Sequence, residues 1–216
     1  MTLRTDLFAK MRNLAALMLC APILAGCFGA AAVGVGTGAL MLTDRRNTET
    51  YISDEGMELR AANRIREQYG DKTHVNVIAY NRMLLLTGEV PTEVIKADVE
   101  KLAAGVPNVK SISNELLIAG ASSFGSRSND TYITSKVKAR YVDANKFSPN
   151  HVKVVTEAGT VFLLGLVTQA EADAAVEITR TTGGVQKVVR VFEIISPDQA
   201  RVLDNNPPPA QPAPKK

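Results

Sequence analysis

The chain has 216 residues, of which 45% are hydrophobic and 22% are charged, and its formal net charge is +3. This composition is typical of a globular protein with one or two domains. Residues 1–26 carry a net charge of +2, so the remainder has a net charge of only about +1. The net charge therefore gives no support for nucleic-acid binding.

An export signal is predicted at the start of the chain. Basic residues precede an apolar run from Leu14 to Ile23, which has the length of a signal-peptide core and is too short alone to span a membrane. The next residues, Leu24-Ala25-Gly26-Cys27, resemble the lipobox of bacterial lipoproteins. The resemblance implies that residues 1–26 are a lipoprotein signal peptide. It also implies that Cys27 carries a diacylglycerol and an N-acyl chain, and no other cofactor is expected.

Removal of this segment would also remove Cys20 and leave Cys27 as the single cysteine, which excludes an intramolecular disulfide. A single uncleaved membrane helix through the uncharged residues 13–43 is the alternative. Glycines make such a helix unfavourable by about 1 kcal/mol each relative to alanine, which favours a flexible acylated tether over residues 27–50. By resemblance to enterobacterial sorting rules, Phe28 after the cysteine, rather than an aspartate, points to the outer membrane.

An internal repeat fills the middle of the chain. His74 and His151 begin matching apolar segments, and a glycine follows each of them inside a second apolar run, Gly88 and Gly165, at the same spacing of 77 residues. Further matches occur upstream and downstream of these segments at spacings of 76 and 79. Two copies of this length predict tandem domains and not a solenoid.

Each copy predicts the element order α-β-β-α-β. Asp54 and Asp130 are predicted to cap the first helices, because apolar residues follow them at every fourth position. Alternating apolar residues then predict a hairpin, and a threonine and a glycine bound a second helix that leads to a last strand. Because that helix joins the last two strands, they are expected to be parallel. Gly88 and Gly165 are interpreted as structural glycines that mark a bulge or a close backbone approach.

The expected fold class is therefore α+β, with two tandem domains that each pack a three-stranded mixed sheet against two helices. Each copy has a glycine in the central strand and a closing Gly-Val-x-x-Val, and in this it resembles a BON domain. Together with the lipobox, the two copies make the whole chain resemble outer-membrane lipoproteins with two BON domains. The resemblance implies BON domains at 51–119 and 129–197, a linker at 120–128 and a disordered Pro-rich tail at 198–216. It implies a lipid-anchored protein on the periplasmic face of the outer membrane.

In that family the second BON domain binds anionic phospholipid, and the protein gathers at division sites and supports outer-membrane integrity. The charges agree, because residues 54–118 have a net charge of −2 and residues 127–196 a net charge of +2. An aromatic residue and cations recur at every fourth position of the second copy's first helix, a pattern that suits an anionic membrane surface. Phosphatidylglycerol or cardiolipin is the expected partner, and the predicted phospholipid-binding residues are Tyr132, Ile133, Ser135, Lys136 and Arg140. An ordinary solvated helix face is the other interpretation.

No catalytic residue and no metal site is predicted. Two histidines at matching places in a duplicated fold indicate an inherited structural role, and no nucleophile–base pair is visible. The alternative to lipid binding is a protein-interaction adaptor, for outer-membrane assembly or for cell-wall amidase regulation. Its contacts would be made by the sheets and not by the helix.

Overall fold

A computed structural model describes residues 44–120 and 122–205. The predicted signal peptide, Cys27 and the Pro-rich end from residue 206 onward lie outside the described residues. Both repeats belong to one folded unit. Of the helices within the described ranges, none combines the length and the apolar character needed to cross a bilayer.

The first repeat folds as predicted into a mixed sheet with two helices. Helix α1 spans Thr48–Tyr69, and the hairpin strands β1 and β2 span His74–Tyr80 and Met83–Val90. Helix α2 (Glu93–Ala104) leads to two short strands, β3 (Ser111–Asn114) and β4 (Leu117–Ile118). Strand β1 is antiparallel to β2, whereas β3 and β4 run parallel to β2.

The second repeat has the same topology with longer strand pairing. Helix α3 (Phe124–Ala144) precedes the antiparallel strands β5 (Lys153–Glu157) and β6 (Thr160–Val167). Helix α4 (Gln169–Arg180) then leads to β7 (Lys187–Ile194), which is parallel to β6. The predicted fold class, tandem α+β domains with mixed sheets, is confirmed, and in the first repeat two short strands, β3 and β4, stand where one last strand was predicted.

Three apolar clusters hold the unit together. Two of them lie between the helices and the sheet of each repeat. The third lies between the two sheets, where the faces that turn away from the helices pack against each other. Its buried residues come from both repeats: Tyr80, Leu85, Phe162, Leu164 and Leu166. The central strands are thus buried on both faces, which explains their uninterrupted apolar runs.

The prediction that aspartates cap the first helices is wrong. Helix α1 is capped by Asn47, whose side chain accepts a hydrogen bond from the Thr50 N–H, and α3 is capped in the same way by Ser123. The first turns are polar, so the apolar periodicity in the sequence begins one to two turns too late. Residues 44–50, predicted as tether, and 124–128, predicted as linker, therefore belong to the folded domains.

The predicted start of the disordered tail, at residue 198, also lies too early in the chain. Residues Pro197–Asn205 form a further helix, α5. Ser196 and Gln199 exchange hydrogen bonds between side chain and backbone at its start, a capping box with proline at the first helical position. Ala200 is buried and Leu203 packs on the cluster between the sheets, so this segment has an apolar anchor that its composition obscured.

Candidate functional site: the outer face of helix α3

The exposed side of α3 presents a narrow apolar strip. Tyr132 is 62% exposed, and Ser135, Ala139 and Val142 follow it on the surface. Their spacing of three, four and three residues places them on one helix face, which we call the outer face of α3. A binding partner on this face would contact an aromatic ring and small or aliphatic side chains.

Two of the predicted cations flank this face and are held in place by the protein. The Lys136 Nζ lies 4.5 Å from the centre of the Tyr132 ring and donates a hydrogen bond to the Gly183 carbonyl. Arg140 Nη1 donates to the Ile178 carbonyl and to the Thr182 hydroxyl, each at 2.8 Å. These acceptors lie at or just beyond the carboxyl end of α4, where the helix dipole favours positive charge.

The other predicted residues take different positions. The Ser135 hydroxyl donates to the Thr131 carbonyl at 3.0 Å and stays on the surface. Ile133 is fully buried in the core of the second repeat, beneath the outer face. The structure thus brings Tyr132, Ser135 and Lys136 together at the surface, with Arg140 beside α4 and Ile133 below. Cys27 lies outside the described residues.

A polar cavity of about 470 Å³ borders the other side of α3. The exposed cations Arg127 and Lys138 line it from α3, and His74 lines it from β1 of the first repeat. Arg127 falls in the segment that was predicted to be linker, so its place on the helix was not visible in the sequence. Cations consequently flank the outer face of α3 on both sides.

Gly88 and Gly165 lie where another backbone passes close to the central strand. A Cβ at Gly88 would stand 2.1 Å from the His74 carbonyl oxygen, and a Cβ at Gly165 would stand 2.3 Å from the His151 carbonyl oxygen. Gly88 also has a φ of 110°, a region that favours glycine. Both positions therefore require glycine for a reason of space.

The matched aspartates act within the helices instead of at their ends. Asp130 is buried, and its carboxylate accepts hydrogen bonds from the N–H groups of Ala158 and Gly159 at 3.0 and 2.9 Å. Asp54 accepts in the same way from Asn81 and Arg82 at 2.7 and 2.8 Å. All four donors have positive φ, as the central residues of a type I′ hairpin turn do. Each aspartate thus fixes its hairpin to its first helix.

The segment just before α1 joins both repeats through two buried arginines. Arg45 bonds the Leu166 carbonyl at 2.9 Å, Glu171 at 2.7 Å and Asp204 at 2.8 Å, all in the second repeat and α5. Its neighbour Arg46 bonds Asp54 in the first repeat at 2.8 Å. Both arginines lie within residues 27–50, which were predicted to be the tether, so this role was not predicted from the sequence.

The arginine contacts change the acidity of their partners. Burial acts to raise the pKa of Glu171, but the hydrogen bonds from Arg45 and the Thr168 N–H outweigh it and lower the pKa to about 2. The hydrogen bond from Arg45 also lowers the pKa of Asp204. Both carboxylates are therefore charged in the folded protein at neutral pH.

Polar contacts also cross between the repeats. The Asn76 side chain donates to Glu157 at 2.7 Å, and Lys153 Nζ lies 3.0 Å from Glu58 Oε1. Burial raises the pKa of Glu157, an effect that the hydrogen bond from Asn76 opposes. The two sheets are thus joined by directed contacts as well as by apolar packing.

Comparison with known proteins identifies the family. The BON domain model matches residues 58–120 and 129–196. The chain is 36% identical over 189 residues to the outer membrane lipoprotein DolP of Haemophilus influenzae, an alignment that covers 87% of this chain and 98% of DolP.

Two further relatives are similar to parts of the chain. The chain is 36% identical over 154 residues to a 21 kDa hemolysin of Actinobacillus pleuropneumoniae, covering 70% of this chain and 79% of that protein. It is 33% identical over 119 residues to the osmotically-inducible protein Y of Escherichia coli, an alignment that covers 54% of this chain and 59% of that protein. The resemblance drawn from the repeat and its glycines is confirmed, and the chain belongs to the BON-domain family as a DolP-like member.

Proposed function

We propose that this protein is a lipoprotein anchored by acyl chains on Cys27 in the outer membrane, on its periplasmic side. In this proposal its second BON domain binds anionic phospholipid, phosphatidylglycerol or cardiolipin, through the outer face of α3. The protein would support outer-membrane integrity, at division sites, without catalysing a reaction. The lipobox in the sequence and the similarity to DolP, which is named an outer membrane lipoprotein, support the anchor and the location.

The pairing of Tyr132 with Lys136 is the observation that carries the lipid-binding part. An exposed ring with a cation 4.5 Å from its centre presents an apolar body and a positive charge on one surface. At a membrane, such a ring sits at headgroup depth, and each nearby cation contributes about 1 kcal/mol with anionic lipid. Because Gly183 holds the Lys136 ammonium in place, little side-chain freedom would be lost on binding.

The first repeat lacks this arrangement at the matching place. Gly56 stands where Tyr132 stands in the second repeat, and the acidic residues Glu55 and Glu58 lie next to it. Leu59 is exposed on this helix to the same extent as Tyr132, at 63%. The first repeat therefore offers an exposed apolar side chain in an acidic setting, which makes it a natural internal control.

Vesicle co-sedimentation tests the proposal with residues 27–216 carrying Cys27→Ser, so that no acyl chain contributes. We expect binding to phosphatidylglycerol vesicles and not to phosphatidylcholine vesicles. Tyr132→Ala and Lys136→Met should each weaken that binding about fivefold, which corresponds to about 1 kcal/mol. Tyr132→Trp should strengthen it, because indole is the larger interfacial anchor.

The matched control is Leu59→Ala, which removes an equally exposed apolar side chain from the first repeat and should leave binding unchanged. The double variant Tyr132→Ala/Lys136→Met gives the decisive result. If it sediments with phosphatidylglycerol vesicles as well as the parent does, the outer face of α3 is not the lipid site.

The adaptor alternative places its contacts on the sheets. In the described residues the sheet faces opposite to the helices are buried against each other, so we infer that such a partner would meet the sheet edges. Leu117, Ile118 and Ile194 are exposed on the parallel edge strands β4 and β7 and are the side chains such a partner would meet. A partner captured equally by the parent and by the α3 double variant would favour this function.

A further inference from the structure

Three side chains that commonly bind metals converge where the two repeats meet. His74 on β1 and Glu89 on β2 are cross-strand neighbours, and the His74 Nδ1 lies 2.9 Å from a Glu89 carboxylate oxygen. Glu157, at the end of β5 in the other repeat, completes the group, which we call the interdomain triad. One ligand atom from each lies within 4.8 Å of the other two. Glu89 and Glu157 are only 4% and 6% exposed.

The second repeat shows how a comparable group, a histidine with two carboxylates, is balanced. His151, the repeat partner of His74, lies 3.3 Å from Glu171 and 3.5 Å from Asp204. There the guanidinium of Arg45 reaches both carboxylates, at 2.7 and 2.8 Å, and supplies a permanent positive charge. The negative charge of the two carboxylates beside His151 is thus balanced by an arginine from a distant part of the chain.

In the described part of the chain, no comparable ion pair reaches the interdomain triad, although Arg127 and Lys138 line the cavity that reaches His74 and Glu157. Within residues 44–120 and 122–205, no lysine or arginine forms an ion pair with Glu89 or Glu157. When both are ionised, these two buried carboxylates carry more charge than one imidazole can balance, and burying such charge without a counter-charge is unfavourable. A bound cation would balance it.

The surroundings of the interdomain triad suit a metal ion. Asn76 and Thr87 donate hydrogen bonds to Glu157 and orient its carboxylate, as outer groups do around metal ligands. The 470 Å³ cavity reaches both His74 and Glu157 and gives room for a water ligand. Ser122, whose N–H donates to Glu89 at 3.2 Å, has a buried hydroxyl with no hydrogen-bond partner in the described part of the chain.

We propose that His74, Glu89 and Glu157 bind a divalent transition-metal ion, with Zn²⁺ as the best fit. Imidazole together with carboxylates suits zinc, which takes three protein ligands and a water at about 2.0–2.2 Å in open tetrahedral sites. Calcium and magnesium prefer shells made only of oxygen with six or more ligands. Because the ligands come from both repeats, the metal would join the two domains directly.

Isothermal titration of metal-free residues 27–216 with Cys27→Ser, produced without a histidine tag, tests this site. The change at Cys27 also removes the thiol as a competing ligand. We expect one Zn²⁺ per chain and little heat with Mg²⁺. Zinc at about one hundred times its dissociation constant should raise the melting temperature by about 5–10 °C, because it binds only the folded chain.

His74→Asn and Glu157→Gln should each weaken zinc binding at least tenfold, as loss of one of three ligands does. The matched control is His151→Asn, which changes the only other histidine in the sequence and should leave zinc affinity unchanged. A parent chain that binds no zinc, or a His74→Asn variant with the parent's affinity, would overturn the proposal.

A measurement on the parent chain keeps the test independent of how the variants fold. Zinc should shift the NMR signals of the His74 ring and leave those of the His151 ring in place. Equal shifts of both rings, or a shift of the His151 ring alone, would count against the interdomain triad. No vesicles are involved, so the outcome is separate from that of the lipid experiment.

Discussion

Gly88 and Gly165 show how one contact sets the residue type at two equivalent places. In each repeat a histidine lies at or just before the start of the hairpin, and its carbonyl oxygen stands where a side chain on the central strand would start. The close approach repeats at the same spacing as the two glycines in the sequence. Neither position can therefore take a larger residue without displacing the strand that precedes it.

Gly165→Ala tests this contact separately from backbone conformation, because Gly165 lacks the positive φ of Gly88. The added methyl group would clash most closely with the His151 backbone carbonyl, which cannot move as a side chain can, so we expect the free energy of unfolding to fall by about 2–3 kcal/mol. Urea denaturation measures the change. Gly183→Ala, where the Cβ has open space, is the control and should change stability by less than about 1 kcal/mol. Equal effects at the two positions would contradict the explanation.

At the scale of elements, each first helix is joined to its own hairpin by a single carboxylate. Asp130 sits within α3 and bonds the two N–H groups at the tip of the β5–β6 turn. In the sequence, nothing connects the matched aspartates with the hairpin turns, so the aspartates were predicted to be N-caps, which is their more common role. The acceptor and its donors are 28 and 29 residues apart in the chain, which is too far for a short sequence pattern to show. This contact therefore could not be predicted from periodicity.

We expect Asp130→Ala to lower the free energy of unfolding by about 2 kcal/mol, because two backbone N–H groups lose the buried carboxylate to which they donate. Asp130→Asn should cost less, since the amide oxygen can still accept one of the bonds. Amide hydrogen exchange at Ala158 and Gly159 should accelerate in both variants. Asp143→Ala, an exposed position on the same helix, provides the control. A turn whose exchange is unchanged in Asp130→Ala would show that the carboxylate is not needed there.

At the scale of the whole molecule, the repeats pack through the sheet faces that each domain leaves open. The order of elements and the mixed sheets could be predicted because apolar periodicity and turn residues are local signals. The packing of one sheet on the other was not predicted, although the unbroken apolar runs of β2 and β6 indicated burial on both faces. The spacing of Tyr132, Lys136 and Arg140 predicted that they share one side of the helix, but the carbonyls that bind Lys136 and Arg140 come from a distant loop and helix end and could not be predicted.

Arg45 extends this packing to the segment just before α1. It connects the residues before α1 with β6, α4 and α5, so loss of its guanidinium leaves Glu171 and the Leu166 carbonyl without their main partner. We expect Arg45→Ala to lower the free energy of unfolding at pH 7 by about 2–3 kcal/mol. Arg201→Ala is the control, because Arg201 pairs with Asp198 at the exposed surface and such pairs contribute little.

The pH dependence separates the charge of Arg45 from its packing. Because the folded pKa of Glu171 is about 2 and the unfolded value is near 4.5, its contribution to stability is complete above pH 4.5 and is lost as the pH falls toward 2. The lowered pKa of Asp204 acts in the same direction. The difference in unfolding free energy between parent and Arg45→Ala should therefore fall to less than half its neutral value at pH 3. Urea denaturation at pH 7, 5 and 3 measures it, and a difference that stays constant with pH would assign the effect of Arg45 to packing alone.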